Sequence, residues 1–180
     1  MAVPAHLVYL PSDSPEPAAA KRMALLSATR DVLVVSARLP GGVLREELEE
    51  AGVDLEHVTI LDVTGTTAPS DKERGHITVV AGPHLLESIA ARANKIAKSA
   101  KARPVTVVID DVATFSIYAP DRALLEIAHR AVSLLTGENR QEYLVPPGFI
   151  DEPILGDLRP ILDGVLAVDA SGEAQAVRDA

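Results

Sequence analysis

Several polar residues directly follow short apolar runs of the sequence, where the strands of a sheet would end. The runs HLVYL, VLVV, TIL and VTVVI are followed by Ser12, Asp13, Ser36, Asp62, Asp110 and Asp111. Because ligands of open α/β sheets bind at the carboxyl ends of the strands, these side chains are the candidates for chemistry. Carboxylates in this position can hold Mg²⁺ directly or through water, which would suit a phosphorylated ligand.

The strongest strand pattern is PVTVVIDD, residues 104–111. An apolar strand that ends in Asp is typical of a Walker B element, in which the carboxylate positions Mg²⁺. Asp110 and Asp111 are therefore the candidate metal ligands, and Asp110 together with Lys21 is the candidate binding site for a nucleotide cofactor. An Asp at the end of a strand also often caps the next turn, so the structural interpretation stays open.

The polar segment after the first apolar run lies where many nucleotide-binding proteins carry a glycine-rich phosphate loop, yet it contains no glycine. That motif, G-x-x-x-x-G-K-[ST], needs glycines so that backbone N–H groups can turn toward the phosphates. If Lys21 is aligned with its lysine, Arg22 takes the place of the hydroxyl residue. Pro15 and Ala20 then take the places of the two glycines. Pro15 and Pro17 have no backbone N–H to offer, so this segment is not expected to bind phosphate in the usual way.

Short apolar runs alternate with helical stretches along most of the chain, which predicts an α/β fold with a mostly parallel central sheet and helices on both faces. Its 180 residues and 47% hydrophobic content suit one domain, residues 1–169, and residues 170–180 are predicted to be a flexible tail. Strands are predicted at 6–10, 31–37, 57–63, 76–82, 104–111, 142–146 and 164–169. Helices are predicted at 18–29, 43–52, 84–100 and 121–135, with a helical turn at 153–162.

The order of these pieces resembles the RecA-like ATPases, particularly their KaiC-like branch. The similarity is carried by VLVVSARLPGGVLREELEEAG, by PVTVVIDD with the helix after it, and by the closing ILDGVLAVD. It covers roughly residues 6–169. The resemblance implies a three-layer RecA-like fold and side-by-side assembly into rings or filaments.

This sequence departs from the KaiC-like pattern at two catalytic elements. KaiC-like ATPases carry a glutamate just after the second strand, where it orients the attacking water, whereas this chain has Ala37 and Arg38 there. The phosphate loop is also missing, so only Asp110 matches. We therefore expect a degenerate pseudo-ATPase without a cofactor, although bound ATP with Mg²⁺ stays open. Its expected role is regulation, signalling or scaffolding in an archaeal or bacterial cytoplasm, through a protein partner or a homo-oligomer.

Composition excludes several other classes of function. A net charge of −9 argues against a surface for nucleic acid, and the basic stretch at 92–103 is better explained as the solvated face of a helix. The chain has no Cys for a disulfide, a thiolate metal site or a nucleophile, and no apolar run long enough to span a membrane. None of the five His residues is paired at a spacing that would bind zinc.

Two alternatives remain at this stage. Asp13, Asp62, Asp110 and Asp111 could instead hold Mg²⁺ and a nucleotide or another phosphorylated ligand, which would make the protein a binding protein or an enzyme. The stretch VATFSIY, residues 112–118, is expected to be a loop that carries three bulky apolar residues. That loop either forms an interface with another protein or folds back over the edge of the sheet.

Overall fold

The computed structural model describes residues 4–65, 77–79, 91–92, 95, 103–118, 138–149, 156, 160 and 162–177. Its strands are β1 (Ala5–Tyr9), β2 (Asp31–Ser36), β3 (Val58–Asp62), β4 (Ile77–Val79), β5 (Val105–Asp110), β6 (Arg140–Val145), β7 (Gly164–Val168) and β8 (Ala174–Ala176). Its helices are α1 (Pro15–Ser27), α2 (Gly41–Glu50) and α3 (Val112–Tyr118), with a 3-10 turn at Leu55–His57.

The eight strands form one sheet in the order β4-β3-β2-β5-β6-β1-β7-β8. Every pair of neighbours is parallel except β7 and β8, which form an antiparallel hairpin. The strand predicted to be strongest, β5, lies in the interior of the sheet and is buried along its whole length. The structure thus confirms the predicted α/β fold with a mostly parallel sheet.

Side chains alternate between the two faces of the sheet, and α1 and α2 cover one of them. On this helix-covered face, Ala19 and Met23 of α1 and Leu44 and Leu48 of α2 pack into one apolar cluster with strand residues such as Val34. Burial at this spacing is typical of helices that present one apolar stripe to a sheet. Hydrogen bonds to buried side chains stabilise the loops at the carboxyl ends of the strands, as described below.

Three expectations differ from the structure. Residues 112–118, expected to be a loop, form α3, in which Phe115 is fully buried and Ile117 is 78% exposed. The segment expected to begin a tail at residue 170 contains β8, which pairs with β7 from Leu166 to Val168. The first helix also begins at Pro15, three residues before its predicted start at 18, because proline is well suited to the first turn of a helix. The polar stretch at 64–75 and the helices predicted at 84–100 and 121–135 lie almost entirely outside the described residues, as does most of the turn at 153–162.

Candidate functional site

Three of the candidate side chains form one row at the carboxyl edge of the sheet. The strand order β3-β2-β5 and the parallel register place Ser36 beside both Asp62 and Asp110. All three lie on the helix-covered face, because they continue the alternation of Ile60, Val34 and Val108 from that face. All three are also fully buried. The sequence pattern therefore located a real cluster of polar groups, and its hydrogen bonds decide what the cluster can do.

Asp62 stabilises the backbone around the start of α2. One carboxylate oxygen, Oδ2, accepts a hydrogen bond from the N–H of Gly41 at 2.9 Å. The other, Oδ1, accepts from both the N–H and the hydroxyl of Thr64, each at 2.7 Å. A carboxylate near the first N–H groups of a helix satisfies donors that have no partner within the helix and interacts favourably with the helix dipole. Its contacts are those of a structural carboxylate.

Asp110 is paired with an arginine. Its Oδ1 lies 3.4 Å from Nε of Arg38, and its Oδ2 lies 3.4 Å from Nη2. The same Nη2 donates to Oε2 of Glu47 on α2 at 3.0 Å, so the guanidinium bridges two carboxylates. The backbone carbonyl of Asp110 accepts hydrogen bonds from the N–H groups of Ala37 and Arg38, which holds the Arg38 main chain against the end of β5. We call Arg38, Glu47 and Asp110 the arginine cluster.

Burial and charge act in opposite directions within this cluster. Burial raises the pKa of the Asp110 carboxyl above its ordinary value, and the nearby Arg38 charge opposes that rise. Burial alone would lower the pKa of Arg38, but the attraction of Asp110 and the hydrogen bond to Glu47 raise it above its ordinary value. Arg38 is therefore a permanent cation beside the Asp110 carboxylate.

Asp111 contributes to the start of α3. Its Oδ1 accepts a hydrogen bond from the N–H of Thr114 at 2.7 Å, and its carbonyl accepts from the N–H of Phe115 at 2.9 Å. This is the capping geometry that aspartate favours just before a helix. The peptide bond between Asp110 and Asp111 is cis. Within the described residues, no group of three or more His, Asp or Glu side chains is arranged to hold a metal ion.

The segment aligned with the phosphate loop is helical. With Lys21 in the place of its lysine, the motif falls on residues 15–22, which all lie inside α1. Two of the first three helical residues are prolines, and the side chains nearest the helix start include the acidic Asp13 and Glu16. Fewer N–H donors and two added negative charges both oppose binding of an anion at this end of the helix.

Lys21 is engaged elsewhere and stands apart from Asp110. It is the seventh residue of α1, and its Nζ donates to the carbonyl of Ala170 in the β7–β8 turn at 2.9 Å. The strands that precede α1 and α3, β1 and β5, are separated by β6. Two strand spacings amount to roughly 10 Å. The structure thus places Lys21 and Asp110 at different points of the carboxyl edge, with no contact between them among the described residues.

A second buried ion pair, which the sequence analysis missed, lies beneath α1. Nε of Arg22 donates to Oε2 of Glu142 at 2.9 Å, and Nη2 donates to Oε1 at 2.5 Å. Glu142 is fully buried in β6 and Arg22 is 8% exposed. The available signal was a glutamate inside a strand and an arginine in an alanine-rich helix, because isolated charges in buried elements usually have a partner.

Comparison with known proteins identifies the family. A model of a family of unknown function, DUF7090, matches residues 18–178. The chain belongs to the DUF7090 family. No curated protein matches this sequence.

Solved structures share the fold of this DUF7090 protein at low sequence identity. An uncharacterized protein from Pyrococcus horikoshii, crystallised with an unknown peptide, has a TM-score of 0.66 and 14% identity over 93% of this chain and 78% of its own. A KaiC-like protein from the same organism has a TM-score of 0.56 and 14% identity, covering 98% and 82%. The ATP synthase subunit NeqB from Nanoarchaeum equitans has a TM-score of 0.62 and 14% identity, covering 94% and 50%.

These likenesses establish the fold. The sheet and its helices are those of the KaiC-like, RecA-fold proteins, as the resemblance implied. The described part of the chain contains no helix long and apolar enough to cross a membrane.

Proposed function

We propose that this protein is a non-catalytic RecA-like domain that acts through binding to other proteins. The observation that carries this proposal is the arginine cluster: Arg38 occupies the space beside the buried Asp110 where an ATPase of this fold would need Mg²⁺. The guanidinium already neutralises that carboxylate, so a divalent cation would have to displace a cation that is part of the protein.

Phosphoryl transfer needs several groups that this chain replaces or uses otherwise. Catalysis in such folds depends on backbone N–H groups and a lysine around the phosphates, on Mg²⁺ held by a carboxylate, and on a residue that orients the attacking water. Here the crossover loop is short and followed by prolines, Lys21 is bonded to a carbonyl, and Arg38 stands after β2. An arginine cannot serve as the base because it stays protonated at physiological pH.

Three observations favour a protein partner over a small ligand. The solved neighbour from Pyrococcus horikoshii was crystallised with an unknown peptide, which makes peptide binding a reasonable hypothesis for a chain of the same fold. In this chain, Ile117 on α3 is 78% exposed at the carboxyl edge of the sheet. The carboxylates of the magnesium alternative, Asp13, Asp62, Asp110 and Asp111, already accept hydrogen bonds from the protein.

The proposal is tested by titrating the full chain with MgATP and MgADP in a calorimeter and by assaying ATP hydrolysis. We expect no saturable heat, no turnover above buffer, and no change in thermal unfolding with millimolar nucleotide. A ligand at 100 times its dissociation constant would stabilise the protein by about 2.7 kcal/mol, so real binding would be visible. Micromolar affinity together with hydrolysis that Asp110→Ala abolishes would overturn the proposal.

A matched variant makes the negative result informative. Arg38→Gln removes the internal cation and leaves a shorter, neutral polar side chain. If Arg38 is what excludes the metal, Mn²⁺ or Mg²⁺ should stabilise this variant more than the wild type, and the gain should vanish in Arg38→Gln/Asp110→Asn. If Mn²⁺ or Mg²⁺ stabilises all three proteins to the same extent, Arg38 is not the residue that excludes the metal ion.

A further inference from the structure

The hydrogen bonds of the β7–β8 hairpin determine which backbone groups of β8 point outward. The N–H of Asp169 donates to the carbonyl of Glu173, and the N–H of Val177 donates to the carbonyl of Val165. In an antiparallel ladder, hydrogen-bonded pairs alternate with pairs that are not bonded to each other. The pair between Ala167 and Gln175 is therefore bonded, and the N–H and C=O groups of Ala174 and Ala176 point away from β7.

The outer edge of β8 carries no charge or proline that would block pairing. β8 is the last strand at its end of the sheet within the described residues, and Gln175 and Ala176 are exposed. Edge strands are commonly protected by very short length, by Lys, by Pro, by a bulge or by an inward charge. β8 is short, with three residues, but its sequence, AQA, contains no Lys, Pro or charged residue. Its outward N–H and C=O groups offer an extended chain the same hydrogen bonds that β7 receives on the other side.

The edge is also held in a fixed position. In the turn before β8, Oδ1 of Asp169 accepts hydrogen bonds from the N–H groups of Ser171 and Glu173 and from the Ser171 hydroxyl. Hydrogen bonds from Ser171, its hydroxyl first, lower the pKa of Asp169 below its ordinary value. Gly172 packs so closely against the backbone of Lys21 and Arg22 that the turn is fixed to α1. A rigid edge loses less conformational entropy when a partner binds.

A groove beside the hairpin can receive the partner's side chains. It has a volume of about 800 Å³, and its mixed lining includes the apolar residues Leu7, Val165 and Val177 and the polar residues His6 and Asp163. Val177 is 46% exposed. Alternate side chains of a strand point to the same face, so a chain paired with β8 would place every second side chain on the face of the sheet that carries this groove.

The charges around this edge indicate which charge a bound segment should carry. The exposed acidic residues Asp163, Asp169 and Glu173 lie at the groove or in the hairpin turn, and the nearest described lysine, Lys21, is bonded to Ala170. The whole chain carries a net charge of −9. An approaching segment with Lys or Arg would therefore be attracted, whereas a second copy of this acidic chain would be repelled.

We propose that the outer edge of β8 binds an extended peptide segment with alternating apolar and basic side chains, adding it to the sheet as a further strand. This inference rests on the proposed function, because it names the surface and the kind of protein segment that such a domain would bind.

The test uses the isotope-labelled full chain and the probe peptide acetyl-Lys-Val-Lys-Val-Lys-Val-amide. We expect saturable shifts of the backbone amide signals of residues 174–177, and affinity that falls with added salt. The counterpart with Glu in place of Lys should bind at least about fivefold more weakly, since its charges are repelled. Methylating alternate backbone nitrogens of the lysine peptide should also weaken binding. This measurement uses the wild-type protein, so it does not depend on whether a variant folds.

Ala176→Pro removes one outward N–H without removing a hydrogen bond to β7. It should weaken binding roughly tenfold, as the loss of one or two hydrogen bonds and of strand geometry implies. The matched control Ala176→Val keeps the N–H and should bind like the wild type. Unchanged binding to Ala176→Pro and to the methylated peptide, or shifts that avoid residues 174–177, would overturn the inference.

Sedimentation of the chain alone tests whether a second copy of the chain occupies the edge of β8 instead. Dimers that Ala176→Pro abolishes, without peptide binding, would assign the edge to a second copy and overturn the peptide proposal. The MgATP titration of the same samples keeps the two proposals separate: absent peptide binding without nucleotide binding leaves the proposed function standing, whereas ATP turnover removes it.

Discussion

At the scale of single residues, Arg38 makes this site different from a metal site. A guanidinium presents fixed planar donors and stays charged at all physiological pH values, whereas a metal ion can be exchanged and can polarise a bound phosphate. Arg38 is only 19% exposed in its side chain and bridges a fully buried aspartate to a glutamate on α2. The Arg38 side chain therefore neutralises the Asp110 carboxylate and also joins β5 to α2 through Glu47.

Replacing Arg38 with Gln should make stability depend on pH. Asp110 would lose its cation, and burial would raise its pKa further above the value in the unfolded chain. A carboxyl whose folded pKa exceeds its unfolded pKa favours the folded state below the unfolded pKa, and this contribution is lost as pH rises through the folded pKa. We expect a loss of about 1–3 kcal/mol at pH 8 and a smaller loss at pH 5.

Urea denaturation at both pH values measures this effect. The double variant Arg38→Gln/Asp110→Asn serves as the control, because a neutral amide at position 110 has no proton to lose. It should differ little between pH 5 and pH 8. A single variant whose loss of stability is the same at both pH values would show that the Asp110 carboxylate does not depend on Arg38.

At the scale of elements, the β7–β8 hairpin is held against α1 by close packing of backbone atoms. Gly172 has φ of +85°, and a Cβ built there would lie 2.6 Å from the Lys21 carbonyl carbon and from the Arg22 nitrogen. Because these are helix backbone atoms, relief requires the hairpin and α1 to separate. The bond from Lys21 to Ala170 would then also be lost.

Gly172→Ala should therefore destabilise the protein by roughly 2–4 kcal/mol, through both the positive φ and the clash. Gly52→Ala is the matched control. Gly52 has φ of +76° and open space around its Cβ position, so its variant should lose only about 1 kcal/mol from backbone strain. Thermal or chemical unfolding of the two variants measures the difference. Equal losses would mean that packing of the hairpin on α1 adds nothing.

Elements with strong apolar patterns could be predicted from the sequence, and elements formed by tertiary contacts could not. β5 consists of five aliphatic or short residues followed by an Asp, so its type and its central place could be predicted. α3 was missed because Val112, Thr114 and Ile117 favour strands, whereas the Asp111 cap and the buried Phe115 stabilise a helix there. β8 was missed because its sequence, AQA, has little strand propensity. The strand forms because the hairpin turn places it beside β7.

The same division applies to the candidate site. The row of Ser36, Asp62 and Asp110 follows from parallel strands that end together, so the sequence predicted its place. The pairing of Arg38 with Glu47 depends on how α2 leaves its loop, which no local pattern specifies. Whether Lys21 or Asp110 has any role with a nucleotide stays a prediction, and the titrations above test it.

At the scale of the whole molecule, the Arg22–Glu142 pair joins residues that are 120 positions apart in the chain. Both side chains are buried between α1 and the sheet. Removing one partner of such a pair leaves an uncompensated charge, whereas replacing both with apolar residues of similar size is often neutral or stabilising. The presence of the buried pair therefore does not by itself indicate a large net contribution to the free energy of unfolding.

Arg22→Met should destabilise the protein by about 3–5 kcal/mol, because Glu142 would be buried without its cation. Arg22→Met/Glu142→Leu should recover most of that loss. Denaturant unfolding of both variants and of Glu142→Leu completes a double-mutant cycle. If the double variant is as unstable as the sum of the single variants, the two side chains are not coupled.

The polar residues of β6 also have a consequence for how the sheet assembles. Glu142 bonds to Arg22 on the helix-covered face, and on the opposite face the Tyr143 hydroxyl donates to Gln141. A slip of β6 by one residue between β5 and β1 would turn Glu142 away from Arg22 and move Tyr143 beneath α1. The Tyr143–Gln141 bond lies within β6 and would move with it, so the buried Arg22–Glu142 pair is the contact that marks the correct alignment of this strand beneath α1.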